Sequence, residues 1–268
     1  MTAIDATGIA VRFGTEQVLF DVALRGEPGR FVGLIGPNGS GKTTLLRSLA
    51  GLQQLDAGRV SINGRSLVDM SDTDRARAMS YLPQGTEVHW PLVVERLVAL
   101  GRLPTLDTWR GLRGPDFDAV AKVLDSVDAS HLKARVVSTL STGERARVLL
   151  ARALASNPRI LLADEPVASL DLSHQLLVLD VIHHLCAQGM TAVVVFHDLS
   201  LAARYCSHLV LLHQGCVFAE GTAAAVLSGD NLRETYGVEA ALSNDLGVPQ
   251  VVTYGRLEPN GDGHGTRP

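Results

Sequence analysis

The stretch Gly36-Pro37-Asn38-Gly39-Ser40-Gly41-Lys42-Thr43 constrains this chain more than any other. It follows Phe31-Val32-Gly33-Leu34-Ile35, an apolar run that reads as a buried strand. It precedes Thr44-Leu45-Leu46-Arg47-Ser48-Leu49-Ala50, which reads as a helix with one apolar face. Strand, glycine-rich loop and helix are the context in which a G-x-x-x-x-G-K-[ST] pattern holds phosphate. Glycines let the backbone curl until several N–H groups converge on an anion. The helix adds its positive N-terminal end. Lys42 can reach the β- and γ-phosphates of a nucleotide, and the Thr43 hydroxyl can ligate Mg²⁺. Gly36 through Thr44 are therefore the candidate nucleotide-binding residues.

The chain has 268 residues, enough for one large domain or two lobes. Its 24 basic and 28 acidic residues leave a net charge of −4, which offers no electrostatic footprint for nucleic acid. The three cysteines, Cys186, Cys206 and Cys216, lack C-x-x-C spacing and read as buried or free thiols in a reducing compartment. The start, Met1-Thr2-Ala3-Ile4-Asp5, carries no basic or apolar region of a secretory signal. No unbroken apolar run approaches the ~20 residues that cross a bilayer. At a membrane, another subunit would have to supply the spans.

Two strand-like segments open the chain, Ile9 to Phe13 and Val18 to Leu24, with a turn at Gly14-Thr15-Glu16. Phe13, beside that turn, offers a flat apolar face to a nucleotide base, or is an ordinary edge phenylalanine. Further strands are expected at Arg59 to Ile62 and Met79 to Gln84. From Gly85 the pattern turns helical, with helices over Pro91 to Leu100, Asp116 to Val127 and Glu144 to Ala155. Strands resume at Arg159 to Asp164 and Thr191 to Phe196, around a helix from Ser173 to Gln188. Leu209 to His213 and Cys216 to Ala219 read as short strands, and Ala223 to Leu227 and Asn231 to Tyr236 as helical pieces. The expected division is a nucleotide-binding core over 1–84 and 158–257, a helical unit inserted at 85–157, and a disordered Gly/Pro-rich tail at 258–268.

Two more constellations bear on chemistry. The apolar strand Ile160-Leu161-Leu162-Ala163 ends in Asp164-Glu165. Asp164 can hold Mg²⁺ through water, and Glu165, pointing elsewhere, can polarise a water for attack on a γ-phosphate. Leu140-Ser141-Thr142-Gly143-Glu144 opens a helix, with Ser141 as N-cap and Glu144 closing a capping box. Many helices begin this way, so the box alone assigns no function.

The order of these stretches resembles that of the ATP-binding cassette (ABC) ATPases. The phosphate loop is followed by Gln84, Leu-Ser-x-Gly-Glu, Asp164-Glu165, Ser169-Leu170-Asp171 and His197-Asp198. The likeness spans roughly Ala3 to Gly221. It implies an α/β fold, a P-loop NTPase of the ABC type with a RecA-like core, an antiparallel β subdomain and an inserted helical subdomain. It further implies a head-to-tail homodimer with two ATP molecules sandwiched between the copies. Ser141, Thr142, Gly143 and Glu144 would then meet the partner's nucleotide, and Asp171 would sit across the interface. His197 would contact the γ-phosphate, Gln84 would touch Mg²⁺ or water, and Phe13 would stack on adenine. Thr142 departs from the family pattern, which carries glycine there. His183-His184 matches no family motif and reads as structural or surface.

Soluble members acting on DNA or ribosomes usually carry two cassettes or a long coiled-coil insertion. This chain has neither, which favours a transport subunit over that alternative; export is the next rival. Trp90 to Arg102, Leu170 to Gln175 and Gly221 to Val238 are similar to stretches of the siderophore, haem and cobalamin uptake ATPases. That likeness implies a peripheral protein on the cytoplasmic face of the plasma (inner) membrane. Its partners would be a second copy, membrane-spanning permease subunits and, indirectly, a periplasmic or surface substrate-binding protein. Arg96 and Arg102 are candidate charges on the permease-facing groove.

Overall fold

The computed structural model describes residues 2–85, 91–106, 111–245 and 247–257. Strand β1 (Ile4–Phe13) runs antiparallel to β2 (Glu16–Gly26), with Phe13 opposite Glu16 across the expected turn. After β3 (Phe31–Ile35) and α1 (Lys42–Leu49), β4 (Ala57–Ile62) and β5 (Arg65–Ser66) join the first pair. This antiparallel sheet has the order β2-β1-β4-β5.

Helix α2 (Asp72–Ala78) leads into β6 (Met79–Leu82). The chain then leaves the strands for α3 (Val94–Ala99), a 3-10 segment at Leu100–Thr105, α4 (Gly114–Ser126) and α5 (Thr142–Leu154). It returns at β7 (Ile160–Asp164), which lies parallel to β6 with Met79 beside Ile160. The rest is α6 (Leu172–Ala187), β8 (Thr191–Val195), α7 (Leu199–Tyr205), β9 (His208–His213), β10 (Cys216–Gly221), α8 (Ala223–Val226), α9 (Gly229–Tyr236) and the hairpin β11 (Val238–Ser243) with β12 (Gln250–Arg256). The central sheet has the order β10-β9-β3-β8-β7-β6, parallel except for its antiparallel edge β10.

Strands β3, β7 and β8 are buried along their whole length, as strands covered on both faces must be. Their side chains alternate between two cores. Leu34, Leu162, Val193 and Val195 join Leu45 and Leu49 of α1 and the inner face of the antiparallel sheet. Phe31, Ile35, Leu161, Ala192 and Val194 join α5, α6 and the remaining helices. The two layers hold the C-terminal ends of β3, β7 and β8 side by side, where the chemistry-bearing residues lie.

Three readings change. The helix expected from Pro91 begins only at Val94, because Val93 bridges to Val136 and the Val94 N–H donates to the Arg135 carbonyl at 2.9 Å. Arg96 and Arg102 are not free groove charges. The Arg96 guanidinium lies 5.1 Å from the Phe117 ring centroid, while Arg102 donates to the Ala155 carbonyl at 2.9 Å and pairs with buried Asp116 at 3.4 Å. The β11–β12 hairpin adds structure where the sequence reading stopped at Tyr236. Trp90 and the tail 258–268 lie outside the described residues. Among the described residues, no helix is long and apolar enough to cross a membrane.

Candidate nucleotide site

The loop between β3 and α1 is shaped by what its glycines avoid. Gly36 has φ +148°, and a Cβ there would stand 2.2 Å from the Leu212 carbonyl oxygen. Gly41, the N-cap of α1, has φ +100°, and its Cβ would meet Leu19 at 2.7 Å. Any L side chain would push the loop off β9 and β2. No side chain caps α1, so its first N–H groups remain available to an anion at the positive end of the helix. The Lys42 ammonium reaches back over the loop to the carbonyls of Gly36 at 2.8 Å and Pro37 at 2.9 Å. Burial lowers its pKa, against the opposing attraction of Glu165 and Asp164.

The Thr43 hydroxyl donates to Asp164 Oδ1 at 3.4 Å, bringing the first turn of α1 to the end of β7. Asp164 is only 2% exposed, and burial raises its pKa despite the Thr43 hydrogen bond and the Lys42 charge. A desolvated carboxylate beside a hydroxyl is a hard-oxygen pair that a divalent cation would stabilise in its ionised form. The donor set therefore fits Mg²⁺, an ion that takes few protein ligands and fills its shell with water and phosphate oxygens.

Glu165 follows immediately, and its backbone turns into the left-handed region with φ +49°. Its carboxylate meets partners different from the Thr43 hydroxyl that Asp164 accepts from. Gln84 Nε2 donates to Glu165 Oε2 at 2.5 Å, and His197 Nε2 lies 2.5 Å from Oε1. Three segments thus meet on one carboxylate: the end of β6, the end of β7 and the residue after Phe196 beyond β8. The left-handed backbone at Glu165 persists only where the surroundings over-determine it.

Ser141, Thr142, Gly143, Glu144 and Asp171 form a second group at the starts of α5 and α6. The capping box is present: Glu144 N–H donates to Ser141 Oγ at 3.2 Å, and Ser141 N–H donates to Glu144 Oε2 at 2.8 Å. The bond from Ser141 N–H is the main cause of a lowered Glu144 pKa. Ser141 and Thr142 are exposed while Gly143 is buried. A cleft of about 480 Å³ between the two groups is lined by Gln84, Thr142, Arg145, Glu165 and Ser169. Phe13 is 51% exposed at the end of β1, outside both cores.

One contact was not legible in sequence. The Gly36 N–H donates to the Tyr236 hydroxyl, so the last turn of α9 props the phosphate loop, and burial holds the phenol above its usual pKa. The two residues are 200 positions apart, and nothing about either marks the pairing.

A family model described as ABC transporter matches residues 19–168. The chain belongs to the ABC transporter family. As an ABC cassette it is an ATPase, and its α/β fold is the one the motif order implied. The chain is 40% identical over 246 residues to the hemin import ATP-binding protein HmuV of Bordetella avium, covering 88% of this chain and 93% of that protein. It is 38% identical over 243 residues to the cobalamin import ATP-binding protein BtuD of Halobacterium salinarum, covering 90% of this chain and 61% of that one. Among solved structures, a chain from an inward-facing transporter assigned to the metal-chelate type superposes with TM-score 0.83 at 23% identity, covering 95% of this chain and 98% of that chain. A bacterial ABC transporter cassette solved as a dimer superposes with TM-score 0.72 at 28% identity, covering 82% of this chain and 98% of that chain.

Proposed function

We propose that this cassette powers uptake of an iron chelate, haem or a siderophore, through separate permease subunits at the cytoplasmic face of the membrane. The observation that carries the chemistry is the Glu165 carboxylate held between Gln84 and His197, beside the buried Thr43–Asp164 pair. Glu165 takes the proton of a water as its oxygen attacks the γ-phosphorus; ADP leaves as the bond to the β-phosphate oxygen breaks. Gln84 donates to one oxygen of Glu165 and His197 Nε2 lies against the other, which fixes the carboxylate's direction. Lys42 and the loop N–H groups hold the phosphates, and Phe13 stacks on adenine. Thr43 and Asp164, with Gln84 at the edge, would hold Mg²⁺, which would supply neutralisation of phosphate charge.

Ser141, Thr142, Gly143, Glu144 and Asp171 face a second copy, whose nucleotide they meet at the helix N-terminus. Residues 85–157 move as the helical unit. A groove of about 400 Å³ between β6 and α5, lined by Met79, Tyr81, Leu100, Pro104 and Arg152, is the seat for a cytoplasmic helix of the permease. Leu100 and Leu103 stand exposed beside it, an apolar edge suited to such a helix.

The cargo rests on the likeness to hemin import proteins over nearly the whole chain, against a cobalamin import protein that is nearly as similar. A strain lacking this chain, grown with iron supplied only as haem or as one siderophore, tests it. Loss of growth and of radiolabelled-iron uptake on at least one chelate is expected. Normal uptake of every chelate, beside a defect for cobalamin or another nutrient, rejects the iron assignment and leaves the ATPase intact.

A further inference from the structure

The space beside Gly143 is filled from within the same chain. A Cβ on Gly143 would stand 2.5 Å from Cδ2 of His174 and 2.6 Å from its Cγ, so the imidazole lies against the glycine's backbone. The same ring is tied to Asp171: His174 Nδ1 lies 2.7 Å from Asp171 Oδ1, which also accepts the His174 N–H at 2.9 Å. The next residue continues the tie. Gln175 Nε2 donates to the carbonyls of Leu170 at 3.1 Å and Val167 at 3.4 Å. Those carbonyls belong to a tight turn that begins at Glu165, where Ala168 N–H donates to the Glu165 carbonyl at 3.1 Å. A continuous set of contacts therefore runs from the start of α5, through His174 and Asp171, to the loop that carries the base.

We propose that His174 is a positioning residue that locks the start of α5 to the Asp171 loop, and that Gly143 lacks a side chain to admit this ring. The glycine therefore serves this internal fit as well as its approach to a partner's nucleotide. The function of the lock rests on the dimer reading above: each copy presents Ser141 and Asp171 to its partner in one fixed relation. Closure can meet both nucleotide sites only if that relation holds, since displacements near 1 Å at a reacting site cost on the order of a hundredfold in rate. His174 belongs to the start of α6 and not to the phosphate loop before α1, so the lock acts on turnover rather than on first binding.

The test is a double-mutant cycle on the full chain, following kcat, KM and the affinity for a fluorescent ATP analogue. His174→Ala should lower kcat about tenfold while the analogue's affinity changes less than about twofold, a split that a general loss of folding would not produce. Gly143→Ala should lower kcat at least as much, because the ring and the new Cβ cannot coexist. Gly143→Ala made in the His174→Ala background should cost a several-fold smaller factor than in wild type, since the obstructing ring is gone. If Gly143→Ala costs the same factor in both backgrounds, or if His174→Ala turns over normally, the proposal is overturned. ATP-dependent dimerisation of the Glu165→Gln chain, read by gel filtration, checks the dimer reading separately. Strong coupling in the cycle with no such dimer would reject the dimer and keep the contact.

Discussion

His197 Nε2 sits 2.5 Å from Glu165 Oε1, and the imidazole is half exposed while the carboxylate is nearly buried. The histidine thus shields one oxygen of Glu165 from solvent and orients it, and Gln84 does the same for the other. Glu165→Gln retains the shape but cannot take a proton. It should bind ATP normally and lose about a thousandfold in kcat, within the range general-base removal costs. Near-normal turnover in single-cycle kinetics would move the base elsewhere.

Lys42 and Ser141 belong to different groups of the chain, which makes their roles separable. Lys42→Ala removes the cation held at the Gly36 and Pro37 carbonyls and should lose nucleotide affinity. Ser141→Arg should retain binding by the isolated chain and block closure, as Ser141 is exposed at the start of α5. Mixing the two variants should restore turnover above either alone, because one composite site then carries neither change. Activity of Ser141→Arg that is normal at every protein concentration would contradict the role across the interface.

Arg102 joins the end of α5 to α4 through the Ala155 carbonyl and the buried Asp116 carboxylate. Arg102→Ala should destabilise the chain by about 2 kcal/mol, the cost of charge-assisted hydrogen bonds whose partners stay buried. Urea unfolding measures it. An unchanged midpoint would show that Asp116 relies on its other contacts, including the Arg113 N–H at 3.0 Å.

Glu144 gives a pH dependence with a definite sign. Its folded pKa is lowered, chiefly by the Ser141 N–H, so its contribution is fully present above the unfolded value near 4.5. The contribution is lost as pH falls through the lower folded value. Wild type should therefore exceed Glu144→Gln in stability by about 0.5 kcal/mol at pH 7, in the range of a charge at a helix N-terminus. The difference should close as pH falls from 4.5 through the lower folded value. A difference constant down to strong acid would assign the effect to packing.

The local elements were largely written in the sequence. Buried parallel strands must be apolar throughout, so β3, β7 and β8 show as unbroken runs. The capping box on α5 depends only on residues at close spacing, so Ser141 and Glu144 were readable as a pair. The phosphate loop is likewise local, since its strand, glycines and helix adjoin. Segments whose order comes from distant partners were not readable. The β11–β12 hairpin and the late start of α3 at Val94 depend on pairings that no periodicity records.

The meeting of residues remote in the chain belongs to the tertiary structure alone. Sequence order placed Gln84, Glu165 and His197 in one family pattern, and the sheet order β8-β7-β6 put their side chains on one carboxylate. Tyr236 under Gly36, and His174 against Gly143, have no local signal at all. Composition and spacing record what each segment prefers by itself. Which side chain fills the space left by a glycine is decided only when the layers pack, because that space does not exist in the unfolded chain.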